Sequence, residues 1–130
     1  MSVLRKIRNC IVVLGSLSLP MVSYGAFHTG NDLKDWGDAL LRINSGTGVQ
    51  EDLLEANRLM GYVAAISEML SIVTEIMPGQ KMCISTVTLG HMIAVVDKHL
   101  RANLEVWNDP ADVIVVSALR QAFPCPVNNL

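Results

Sequence analysis

The sequence predicts an all-α fold: a small antiparallel bundle of about four main helices with one disulfide, after a cleaved signal peptide. Three observations carry that prediction. Apolar residues recur at helical spacing in four separate segments. Capping residues, glycines and prolines punctuate the gaps between them. No stretch alternates as a strand would, and the β-prone run Val113 to Val116 lies inside a helical pattern. A length of 130 residues fits a single domain.

The leader comes first, over residues 1–25, with the helical domain expected over 26–130. Arg5, Lys6 and Arg8 form a positive start, Ile11 to Leu19 an apolar core, and Ser23-Tyr24-Gly25-Ala26 a small-residue cleavage region. The apolar run is shorter than the ~20 residues a membrane-spanning helix needs. Cys10 precedes the apolar core instead of following it, which argues against a lipid-anchored product. Cleavage after Gly25 or Ala26 would release a soluble domain with no membrane attachment.

Removing the leader changes the balance of charge and cysteine. It takes three of the ten basic residues and none of the twelve acidic ones, leaving a domain near −5. Nucleic-acid binding then lacks an electrostatic basis, and a basic partner is the better fit. Of the three cysteines, Cys83 and Cys125 remain. An even number in an oxidising compartment favours one bridge between them, worth up to about 4 kcal/mol by chain entropy.

The first helix follows Asn31 or Asp32 as N-cap, with Leu33, Trp36, Leu40 and Ile43 on its inner face. Ser45-Gly46-Thr47-Gly48 ends it. Thr47 and Gln50 resemble a capping box for the second helix, which runs from Glu51 to Met77 and is the element the others pack on. Its inner sector combines Tyr62, Ile66, Met69, Val73 and Ile76 with Leu59, Val63, Leu70 and Met77. Ser67, Glu68, Ser71, Thr74 and Glu75 take the polar side. Gly61, inside this helix, either marks a close helix–helix approach or is unforced. Pro78-Gly79 stops the helix. Thr88 caps the third, whose stripe is Leu89, Ile93, Val96 and Leu100. After a short loop at Leu104 to Asn108, Asp109-Pro110 starts the fourth, a capping aspartate before proline. Ala111, Ile114, Val115, Ala118 and Ala122 line its inner face, small enough to pack closely, with Gly61 as a candidate neighbour. Phe123-Pro124-Cys125-Pro126 ends it.

Catalytic chemistry finds little purchase. His91 and His99 share a helix but diverge by about 80°, a poor metal pair at helical geometry, and no cofactor site is evident. The methionines fall mostly on apolar stripes, where they fill gaps. Cys83 has a disulfide partner available, which removes it as a nucleophile. Glu68 and Glu75 sit on a polar face, and no glycine-rich phosphate loop occurs. The residues therefore point to a binding protein and not an enzyme. Trp107, between Glu105 and Asp109, either anchors an interface with a basic partner or folds back over the core. Val113 and Val116, beside Arg120, face away from the inner stripe and form a candidate homodimer face.

A series of short matches runs in order along the chain: Phe27 with Gly30-Asn31-Asp32-Leu33, Gly61-Tyr62, Cys83-Ile84, and Val87-Thr88 with Gly90. Val95-Val96 with Lys98 and Leu100, Pro110-Ala111, Ala118-Leu119 and Ala122-Phe123-Pro124-Cys125 complete it. In this the chain resembles the Rap/Tai family of immunity proteins, which protect bacteria against peptidoglycan amidase effectors of type VI secretion. The chain departs from the family at Gly37 and Leu59, where a cysteine pair is common, and at Ser85 and His91. The resemblance implies a periplasmic, non-catalytic helical protein, often dimeric. Such a protein binds its cognate effector, a Cys–His amidase, and blocks the substrate cleft with a loop. The expected contact residues are Glu105, Trp107, Asn108 and Asp109, with Lys81 and Met82 second. A periplasmic metal-binding or envelope-stress protein is the alternative.

Overall fold

The computed structural model describes residues 27–76 and 82–125. Four α-helices follow in order: α1 (Gly30–Asn44), α2 (Gln50–Ile76), α3 (Leu89–Ala102) and α4 (Ala111–Ala122), with a 3-10 turn at Leu104–Asn108 between the last two. The expected leader, the Pro78-Gly79 stop, Met77, Lys81 and Pro126 lie outside the described residues.

Local chemistry sets each helix end. α1 is capped by Thr29 rather than by Asn31 or Asp32. Asp32 sits in the first turn, where its carboxylate accepts the Thr29 amide at 2.7 Å and hydroxyl at 3.1 Å. Gly46 takes φ +76° and turns the chain out of α1. The expected Thr47–Gln50 box does not form. Asp52 reaches back instead, accepting the Val49 amide at 2.9 Å and the Arg42 Nε–H at 2.9 Å. One buried carboxylate thus caps α2 and ties it to the end of α1. Thr88 caps α3 as expected, accepting the His91 amide at 3.3 Å.

α4 starts one residue later than the sequence suggests, with Pro110 and not Asp109 at its cap. Its first amide has a partner from the other end of the chain. Ala111 N–H donates to His28 O at 2.9 Å, and Gly30 N–H donates to Asp109 O at 3.1 Å. These two bonds form an isolated bridge between Thr29 and Pro110. No sequence-local cap is needed when a neighbouring segment accepts the orphan amide.

One core unites the helices. α1 contributes Leu33 and Trp36, α2 contributes Leu59, Val63, Ile66 and Leu70, and α3 contributes Met92, Ile93, Val96 and Leu100. α4 adds Ala111, Ile114, Val115, Ala118 and Leu119. Leu119 takes the inner place expected of Ala122, which is exposed. All four helices touch one another, most extensively α1 with α2, so α2 is not set apart as the one helix the others pack on. Its inner sector is narrower than expected: Met69 and Ile76 are 51% and 74% exposed. Ser67, expected outside, is buried; its hydroxyl donates to Val63 O at 2.7 Å and lies 3.1 Å from Met92 Sδ. Burying it costs little because the hydroxyl is satisfied within its own helix.

Close approach occurs at other glycines than Gly61. A Cβ on Gly61 would meet nothing within 4 Å, whereas one on Gly30 would lie 2.7 Å from Trp107 Cα and one on Gly37 2.8 Å from Asp97 Oδ1. Gly37 and Leu59 line the same cavity of about 410 Å³ between α1, α2 and α3. Cys83 and Cys125 are bonded, with 5.0 Å between their Cα atoms. Cys83 N–H donates to Phe123 O at 3.1 Å, and Met82 bridges Pro124, so backbone pairing backs the covalent tie.

Candidate functional site

The 3-10 turn Leu104–Asn108 is held in place by α1 and α3. Asn103 leaves helical geometry at φ −129°, ψ 77°, and its side-chain amide donates to His99 O at 2.7 Å. The chain then tightens until Asp109 N–H donates to Val106 O at 2.9 Å. Asn31, on the first turn of α1, donates to Trp107 O at 3.0 Å and to Asn108 Oδ1 at 3.1 Å. The bare Cα of Gly30 lets this backbone sit directly against α1, since a side chain there would collide with Trp107 and Val106. The result is a short turn fixed from two sides.

Trp107 resolves the sequence alternatives toward the core. Its indole N–H donates to Leu100 O at 3.0 Å, and the half-buried ring packs against the core cluster. The Lys34 ammonium stands 5.5 Å from the ring centroid on the outer side. Leu104 (64% exposed), Glu105, Asn108 and Asp109 are left facing solvent.

Charge is distributed unevenly around this turn. Several carboxylates elsewhere are paired: Asp38 with Lys34 and Arg101, Asp97 with Arg101, Asp52 with Arg42. Hydrogen bonds from Lys34 and Arg101 hold Asp38 below the usual carboxylate range, against a smaller opposing effect of burial. Arg42, with the Val49 amide, does the same for Asp52. Among the described residues, no ion pair forms at Glu105, Asp109 or Asp112. Burial pushes the Tyr62 phenol up, and Asp112 and Asp32 add to the effect, so the negative field reaches across to α2. His28 closes this region, its ring 4.9 Å from that of Trp36 and 5.7 Å from that of Tyr62.

The structure separates the other residues singled out in the sequence. Met82 is 8% exposed and belongs to the core, which leaves it little to offer a partner. Val113 (56% exposed), Val116 and Arg120 line a shallow hollow of about 560 Å³ on the outer face of α4. Among the described residues, no three His, Cys, Asp or Glu side chains are grouped to hold a metal ion. His91 packs edge-on against Phe123 at 5.4 Å. Cys83, bonded to Cys125, presents no free thiolate. Asn31 was legible only as a candidate helix cap, because its partners here lie 76 and 77 positions away.

Fold and site together define a disulfide-tied helical domain with an acidic turn fixed on its surface. The sequence model of the family described as Rap1a immunity proteins matches residues 29–125. The chain belongs to that family. No curated protein and no solved structure matches it. Among the described residues, no helix is long and apolar enough to cross a membrane.

Proposed function

We propose that the protein acts in the periplasm, after removal of residues 1–25, and neutralises a type VI secretion effector by binding it. The effector class we infer is a peptidoglycan amidase with a Cys–His active site. The Glu105–Asp109 segment enters the substrate cleft, and inhibition is steric occlusion. The observation that carries this reading is the turn itself: exposed, acidic, and clamped by Gly30 and Asn31. A prepared contact loses little conformational freedom on binding. Its unpaired carboxylates would speed encounter with a basic partner. Val113, Val116 and Arg120 would form the contact between two copies in a homodimer. No observation favours the metal-binding alternative.

Binding kinetics with the purified effector test this reading. Glu105→Lys with Asp109→Lys should lower the association rate about tenfold at low salt, with a smaller change in dissociation. Trp107→Ala should weaken binding indirectly, because the ring it removes seats the turn on the core. Because that ring also covers the core, its Tm is measured alongside, and binding is compared at a temperature where both proteins are folded. Unchanged affinity in both variants would move the interface off this turn.

A further inference from the structure

Among the described residues, the second half of α2 carries an apolar seam that is left open. Leu70 is the last buried residue of α2 among the described side chains. On the opposite side Ala65, Met69, Ile72 and Ile76 are exposed, the last three at 51%, 60% and 74%. Their spacing of four, three and four residues is the seam of a helix made to lie along another helix. Apolar residues scattered singly over a surface need no explanation, but consecutive large ones on one stripe do.

Charge decides what fits the seam. From Leu59 to Gln80 the sequence has no lysine or arginine, and its only acidic residues are Glu68 and Glu75. Glu68 is exposed beside Met69. A second copy laid along this face would bring acid against acid, and the nearest cation on α2, Arg58 at the start of the seam, is already held by Glu55 at 2.8 Å. A helix whose apolar stripe is flanked by lysine or arginine supplies both halves of the match.

We propose that the α2 seam docks an amphipathic basic helix of a partner protein. This surface is separate from the Glu105–Asp109 turn and does not depend on which effector that turn meets. Two synthetic three-heptad peptides with leucine at the seam positions, one flanked by lysine and one by glutamate, serve as probes. They are titrated against the leaderless protein, wild type and Ile72→Glu, while sedimentation follows the oligomeric state. The lysine peptide should bind the wild type, weaken with added salt, and bind at least tenfold better than the glutamate peptide. Ile72→Glu should weaken it tenfold or more, although the added charge alone would strengthen a purely electrostatic contact. Ile72→Ser, which adds no charge, should weaken it too. Absence of lysine-peptide binding, or binding undiminished in the Ile72 variants, would overturn the proposal. So would a wild-type dimer that Ile72→Glu dissociates, because the occupant would then be a second copy.

Discussion

Gly61 and Gly30 show how position decides what a glycine is worth. Gly61 lies mid-helix with open space where a Cβ would stand. Gly61→Ala should therefore stabilise the protein by about 0.5–1 kcal/mol, read from the denaturant midpoint, because alanine lowers the entropy cost of the helix. Gly30→Ala should destabilise by about 1–3 kcal/mol, since its methyl would meet backbone atoms of Val106 and Trp107 that cannot yield as a side-chain end can. Equal effects at the two sites would contradict this packing. The same scale governs acid stability. Asp52 and Asp38 have lowered pKa values in the fold, so both favour folding above the ordinary carboxylate range. That contribution is lost as pH falls through their depressed values, below about pH 4. Asp52→Asn should lower Tm at neutral pH and flatten its fall on acidification; a Tm unchanged at pH 7 would mean that the carboxylate neither caps α2 nor holds Arg42.

At the level of elements, the four helices and the cysteine pair were legible in the sequence because their signals are local: a periodic stripe, a cap, a stop, an even cysteine count. What the sequence left open depends on distant chain. The register of α2 is one case. Nine apolar positions suggested a sector wide enough for several neighbours, yet of these Leu59, Val63, Ile66 and Leu70 are buried, while Met69 and Ile76 are exposed. The start of α4 is another, since its first amide is met by His28 and not by a capping side chain. Trp107 was placed correctly in a short loop, but whether its ring turned in or out hinged on Leu100 O being within reach. The disulfide belongs to this scale as well. It joins the segment before α3 to the segment after α4, across 42 positions. Reduction, or Cys83→Ser with Cys125→Ser, should cost up to about 4 kcal/mol, seen as a lower urea midpoint. An unchanged midpoint would mean that the Met82–Pro124 pairing already holds this end.

For the molecule as a whole, the domain carries an acidic surplus that its internal ion pairs do not absorb. Residues 26–130 hold seven basic residues against twelve acidic ones. The pairs between α1 and α3, and between α1 and α2, consume cations within the fold. What remains includes the acid around the 3-10 turn, on a scaffold stiffened by one covalent tie and by a backbone bridge at Thr29 and Pro110. Such a body suits inhibition by occupation, in which the inhibitor need only arrive quickly and hold its shape. The most direct measurement is growth of a test bacterium whose periplasm receives the product of the neighbouring reading frame, with and without this protein. The account predicts lysis without it and growth with it, and loss of protection when Glu105→Lys and Asp109→Lys are combined in a protein that still folds. Lysis in both cases, with the wild-type protein shown to be present in the periplasm, would contradict neutralisation of that partner.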